Sequence, residues 1–273
     1  MPDSSAFPPA APAYPATDLL PGVTARLRAA GCVFAEDEAK LLLAAAGTRA
    51  ELSRLVDRRA AGEPLELVLG WAEFCGLRIA VEPGVFIPRR RTEFLVDRAS
   101  GLRAPGSVVV DLCCGTGAVG AALATGVPVE LYAVDLDPVA VRCARRNLAA
   151  TGARVYRGDL FGPLPARLRG RVDLIVANAP YVPTAEIGLL PPEARDHEPA
   201  TALDGGPDGL AVQRRVAAQA GTWLAAGGHL VMETSRRQAP RTAEILRRYG
   251  LTAQVARSEE RDATVVVGSR QRP

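Results

Sequence analysis

Val108-Val-Val-Asp-Leu-Cys-Cys-Gly-Thr-Gly-Ala-Val-Gly120 decides the fold. A short apolar run, bounded by a glycine turn and followed by small residues, reads as a buried strand that turns sharply into a helix. Gly115 and Gly117 allow positive φ and let the backbone approach a ligand closely. The helix that begins near Ala118 offers its free N–H groups to an anionic part of that ligand. The order is Asp111 and then Gly-x-Gly, which differs from the GxGxxG spacing of dinucleotide folds. A glycine pair alone also serves a plain strand-to-helix turn. Strand, acid and glycines in this order favour a cofactor loop.

Downstream, apolar strands alternate with helical stretches. The strands are 108–113, 129–134, 155–158, 172–177 and 229–233; helices are expected at 119–125, 138–151, 210–226 and 241–249. Residues 251–256 and 263–268 read as a closing antiparallel pair. Such alternation means right-handed crossovers and an α/β fold, with a mostly parallel Rossmann-like sheet covered on both faces. Upstream, residues 1–17 are rich in Pro and Ala and are expected to be a disordered tail. Residues 18–72 carry helical periodicity punctuated by Gly31, Gly47 and Gly62, a small helical domain. Residues 73–103 hold two strand-like runs flanking Glu82-Pro83-Gly84, an expected hairpin linker, then a helix from about Thr92 to Leu102. The main domain spans 104–273.

Bulk composition is that of a soluble globular protein, with 48% hydrophobic and 23% charged residues and a net charge of only +3. Lys40 is the one lysine, and the arginine, alanine and proline bias reads as codon composition rather than a nucleic-acid signature. The five cysteines (Cys32, Cys75, Cys113, Cys114, Cys143) have no metal spacing and read as reduced thiols of a cytoplasmic protein, so no metal is expected. No apolar run reaches membrane-spanning length and no signal peptide is evident.

The strand tips carry the chemistry. Asp135 ends the second strand, where an acid can accept both hydroxyls of a ribose. Asp137-Pro138 reads as a helix cap. Asp159 and Leu160 end the third strand and suit an adenine, the acid accepting from its exocyclic amine; a solvated loop acid is the alternative. Asn178-Ala179-Pro180-Tyr181 closes the fourth strand. The Asn178 oxygen and the Ala179 carbonyl are two acceptors for the two hydrogens of a planar NH2 group, with the Tyr181 ring over one face. His229 begins an apolar strand and reads as structural; His197 lies in a Pro-rich loop.

With these residues in hand, the chain resembles class I S-adenosylmethionine-dependent methyltransferases, and more narrowly the HemK/PrmC family of protein-(glutamine-N5) methyltransferases. The resemblance rests on 63–77, on Pro83-Gly-Val-Phe-Ile-Pro-Arg-Arg-Arg-Thr-Glu93, on Asp111 to Gly117, on Asn178 to Tyr181 and on His197 to Gly206. It implies S-adenosyl-L-methionine as cofactor, held by Asp111, Cys113, Gly115, Thr116, Gly117, Asp135, Leu136, Asp159, Leu160 and Asn178. It implies Asn178, Ala179, Pro180 and Tyr181 as the catalytic clamp, with Phe86, Pro88, Arg89, Asn178, Tyr181 and Glu198 toward the substrate. It implies that the helical domain docks a protein partner, and that the target is the glutamine of a Gly-Gly-Gln loop in a release factor. A monomer without specific nucleic-acid binding is expected. Departures from the family pattern are Ala179 for a proline, Cys113 for a glycine expected to stay in the strand, Arg90 and Arg91 beside the substrate, and Met232-Glu233-Thr234-Ser235. An adenine-N6 nucleic-acid methyltransferase, a small-molecule methyltransferase and a non-catalytic cofactor-binding paralogue are the competing readings.

Overall fold

The computed structural model describes residues 16–272. Of the expected tail over 1–17, residues 1–15 lie outside that range, and Ala16 already begins a helix. The chain divides after Trp71 into two compact units. The first holds α1 (Ala16–Ala29), α2 (Ala35–Ala45), α3 (Arg49–Ala60) and α4 (Leu65–Leu69). Leu27, Ala39, Leu42, Leu52 and Val56 recur at helical spacing and form its core. Thr48 caps α3, its hydroxyl accepting from the Glu51 N–H at 3.1 Å. A buried pair crosses this core: Arg59 donates to both oxygens of Glu38, at 2.6 and 3.1 Å.

From Trp71, the last residue of the first unit, the chain enters a hairpin of β1 (Trp71–Phe74) and β2 (Leu77–Ala80), followed by α5 (Glu93–Ser100). The hairpin turn is Cys75-Gly76, not the expected Glu82-Pro83-Gly84. Cys75 takes a left-handed φ of +49°, and its N–H is held by Glu93 Oε1 at 3.0 Å. The side chain that fixes this turn lies 18 residues further on, out of reach of local turn rules.

Alternating elements follow: β3 (Val108–Leu112), α6 (Ala118–Ala124), β4 (Glu130–Asp135), α7 (Pro138–Asn147), β5 (Arg154–Arg157) and β6 (Val172–Ala177). Short helices α8 (Pro192–His197) and α9 (Ala200–Leu203) precede α10 (Ala211–Trp223), β7 (Leu224–Thr234), α11 (Ala239–Arg248), β8 (Thr252–Ser258) and β9 (Ala263–Ser269). The seven strands lie in the order β5-β4-β3-β6-β7-β9-β8. The first five are parallel, and β9 runs antiparallel to both β7 and β8. Strand alternation sets the two faces. Val108, Val110 and Leu112 join one core cluster, while Val109 joins the other. Helix α10 ends at Trp223 rather than at the expected Ala226, because the chain crosses Gly227-Gly228 already in β7, beside a register shift against β6. Asp137 caps α7 as its sequence suggests, accepting from the N–H groups of Val139 and Ala140.

Candidate active site

Because β3, β4, β5 and β6 are parallel, their carboxyl ends open on one edge. The chain reverses its direction of progress across the sheet between β3 and β6, where open α/β sheets bind ligands. A cavity of about 300 Å³ lies there, lined from all four strand tips.

The β3 tip is a strained turn. Cys113 is not in the strand, as expected, but just beyond it with φ +55°, a conformation costing an L-residue roughly 1–2 kcal/mol. Burial raises its thiol, and the carboxylates of Asp135 and Asp111 raise it further, so Cys113 stays protonated. Gly115 and Thr116 line the cavity, whereas Gly117 does not. Gly117 carries the chain into α6 at φ +78°, and a Cβ there would stand 3.1 Å from Leu148. Asp111 lies 2% exposed behind the turn, where its Oδ2 accepts the Gly120 N–H at 2.9 Å. Burial pushes its carboxyl up to about 7; the Gly120 bond opposes this and Asp135 adds to it.

Asp135, at the β4 tip, is held by backbone donors. Its Oδ2 accepts the Gly115 N–H at 2.8 Å and its Oδ1 accepts the Asp137 N–H at 2.9 Å. The carboxylate is thus fixed between the glycine turn and the cavity, and burial raises its pKa. Leu136 follows it on the cavity wall. At the β5 tip, Leu160 is buried at φ +47°. Asp159 is ion-paired with Arg215 of α10, a neighbour 56 positions away in the chain.

The β6 tip brings Asn178, Ala179, Pro180 and Tyr181 into the same cavity. Asn178 Nδ2 faces the Thr92 hydroxyl at 3.4 Å. The Tyr181 hydroxyl donates to Glu233 Oε1 at 3.2 Å, and the Gln238 amide donates to the Tyr181 carbonyl at 2.9 Å. Arg91 lies over the Tyr181 ring, 5.9 Å from its centroid, with Nε 3.5 Å from Glu233 Oε1. Burial raises the Glu233 carboxyl, and Thr92, Arg91 and Tyr181 each pull it back.

Phe86 and Pro88 line the cavity, but Arg89 and Glu198 do not. The Glu198 side chain is fully buried and accepts from the Ile87 N–H at 3.1 Å and from Arg89 at 2.5 Å. Arg89 in turn covers the Phe86 ring at 5.3 Å. These two residues, expected at the substrate, brace Phe86 from behind. His229 hydrogen-bonds Ser269 across β7 and β9 and is not on the cavity wall.

Residues 76–189 match the family described as the methyltransferase small domain. The chain is 40% identical to the release factor glutamine methyltransferase of Geobacter sulfurreducens over 79% of its own length and 76% of that protein's. This chain belongs to the release factor glutamine methyltransferase family. It is also 39% identical to a 4-amino-L-phenylalanine/4-methylamino-L-phenylalanine methyltransferase of Streptomyces pristinaespiralis, over 71% and 69% of the two chains. A solved methyltransferase from Pyrococcus furiosus shares the fold at 16% identity, with a TM-score of 0.55 over 72% of this chain and 90% of that one.

The family's cofactor, S-adenosylmethionine, is cationic at sulfur, and the cavity suits it. Asp111 and Asp135 are two carboxylates held at one wall, each raised by burial and the first also by the second. A positive charge in the cavity relieves the cost of ionising these buried acids. Arg91 lines the cavity. Its partner Glu233 lies 3% exposed at the end of β7. Thr92, Glu233 and Gln238 are the site residues the sequence did not single out. From the sequence, Arg90 and Arg91 stand beside the substrate and Thr92 is passed over; only the fold brings Thr92 to Asn178, 86 positions away.

Proposed function

We propose that this chain transfers a methyl group from S-adenosylmethionine to the side-chain amide nitrogen of a glutamine in a protein, the Gly-Gly-Gln loop of a peptide chain release factor. The observation that carries this is the shared cavity: the Asn178-Ala-Pro-Tyr tip of β6 and the acid–glycine turn of β3 open on the same space. When bound there, the cofactor supplies an electrophilic methyl group on a sulfonium.

The chain's own residues supply position. An amide nitrogen is a weak nucleophile, its lone pair shared with the carbonyl, so the rate depends on alignment and exclusion of water. In this reading Asn178 Oδ1 and the Ala179 carbonyl accept the two N–H hydrogens and stabilise the positive charge that develops on nitrogen. Tyr181 covers one face of the amide and Phe86 closes the mouth. Asp135 holds the ribose hydroxyls, and Leu160 and Asp159 flank the adenine. Neither histidine is on the cavity wall, and the proton leaves to water. The helical unit docks the protein substrate, and the enzyme works in the cytoplasm as a monomer; no helix among the described residues is long and apolar enough to cross a membrane.

A second reading has its own warrant, the 39% identity to an enzyme named for an aromatic amino acid. An aryl amine is also a planar NH2 group, and the same two acceptors would grip it. The test is transfer of labelled methyl to purified release factor, with 4-amino-L-phenylalanine as the rival acceptor. We expect the release factor to be labelled and the free amino acid not. Asn178→Ala should lower turnover by roughly 10²- to 10³-fold at unchanged cofactor affinity. Near-normal turnover in that variant removes the clamp.

A further inference from the structure

The Asn178 amide can present either its oxygen or its NH2 to the cavity, and the two ends are nearly the same shape. Only one orientation grips a substrate NH2: the oxygen must face inward and the NH2 must be accepted elsewhere. The acceptor present is the Thr92 hydroxyl, 3.4 Å from Asn178 Nδ2. A hydroxyl can donate or accept, so by itself it does not choose an orientation. Behind it lies Glu233, which the mechanism above does not use and which is not on the cavity wall. The Tyr181 hydroxyl donates to Oε1 of that carboxylate at 3.2 Å, the Arg91 guanidinium lies 3.5 Å from the same oxygen, and Thr92 also stabilises its ionised form. Its Oε2 is buried without a hydrogen-bond partner among the described residues, so the carboxylate retains capacity to draw the threonine proton.

We propose that Thr92 and Glu233 are positioning residues that set the polarity of the clamp. The ionised carboxylate can only accept. It therefore takes the Thr92 proton, which turns a threonine lone pair toward Asn178. That lone pair takes the Asn178 NH2, leaving Oδ1 as the end that meets the substrate. The same carboxylate takes the Tyr181 hydroxyl and so fixes the ring over the amide from the opposite side. Arg91, 3.5 Å from Glu233 Oε1, favours the charged carboxylate against its burial. One buried group thus orients both side chains of the clamp through different neighbours. This rests on the amide-clamp reading proposed above.

The test uses the full-length enzyme and release factor, with turnover and cofactor affinity measured separately. Thr92→Val keeps the shape and removes the hydroxyl, which leaves a buried Asn178 NH2 without an acceptor. Turnover should fall about 10- to 100-fold, with cofactor affinity unchanged and the variant still folded at the assay temperature, any loss of stability being small beside the loss of rate. Thr92→Ser restores the hydroxyl and most of the rate. Glu233→Gln can donate to Thr92, so it should slow turnover without raising the KM for release factor. Two results overturn the proposal: wild-type turnover in Thr92→Val or in Glu233→Gln, or equal slowing in Thr92→Val and Thr92→Ser, which would make the site one of packing alone. Asn178→Ala separates the levels. If it is inactive while Thr92→Val is normal, the relay fails and the clamp stands; if it is active, the clamp itself fails.

Discussion

Replacing Asp111 by Asn tests the electrostatics of the β3 turn without disturbing its shape. An Asn oxygen can still accept the Gly120 N–H that Asp111 Oδ2 holds at 2.9 Å. What disappears is a buried charge. The folded-state pKa is about 7 against an ordinary 3.8, so the folded protein holds a proton that the unfolded chain has already lost. Stability from this group is complete below pH 4 and is lost as pH rises through 7. Each unit is worth about 1.4 kcal/mol, so the two units from pH 5 to pH 7 remove roughly 3 kcal/mol, and roughly 1.6 kcal/mol more is lost below pH 5. Asp135 and Glu233 are also raised, so the wild type alone cannot isolate Asp111. The difference between wild type and Asp111→Asn can. Urea unfolding at pH 5 and pH 8 should show the variant gaining about 3 kcal/mol on the wild type, or roughly 6–12 °C in melting temperature at this size. A cation in the cavity favours the ionised acid, so wild-type affinity for S-adenosylmethionine should rise over the same pH range and that of the variant should not. A stability gap that stays within about 0.5 kcal/mol from pH 5 to pH 8 refutes the reasoning.

Other substitutions probe separate parts. Asp135→Asn retains the shape at the β4 tip but removes a charged acceptor, so calorimetric affinity for S-adenosylhomocysteine should drop roughly 10- to 100-fold. Glu38→Ala removes the carboxylate that takes two Arg59 bonds in the core of the first unit, while Arg59 keeps the Glu63 carbonyl, and should destabilise that unit by roughly 1–3 kcal/mol in chemical unfolding, with the cofactor affinity of the second unit unchanged.

How much of this could be read from the chain depended on how local each cause was. The parallel strands were legible because strands buried on both faces write continuous apolar runs, as at 108–112 and 172–177. The cap at Asp137 was legible because cap and helix are adjacent. The hairpin turn was not, since Cys75 is no turn signal and is held there by Glu93. Cys113 misled in the same way: a cysteine after apolar residues reads as strand, yet the turn needs a left-handed residue there and the fold imposes it. Glu198 was legible as a candidate but not in its placement off the cavity wall. Only the packed structure turns its carboxylate away from the cavity and onto the Ile87 N–H and Arg89. Arg215 beside Asp159 depends on α10 packing across the sheet, which no spacing in the sequence encodes.

In the proposed clamp, Ala179 is the departure that bears most on catalysis, since a proline ring would lock the backbone whose carbonyl is the second acceptor. The structure supplies that rigidity from outside. Ala179 is 1% exposed, so the smaller side chain is still packed on every side. Pro180 follows it and confines its ψ to extended values. One residue further, the Tyr181 carbonyl is pinned by Gln238, whose amide also holds the Asp208 carbonyl. The Val182 N–H then bonds the Leu203 carbonyl, and the Gly205 N–H bonds the Val182 carbonyl. The segment after the clamp is thereby laced to the 203–209 loop and to the start of α11. A ring fixes one dihedral within a residue, whereas these bonds fix the position of the segment relative to the sheet. It is that position, and not the dihedral alone, that sets where the second acceptor stands, so the substitution changes how the clamp is held without changing what it presents.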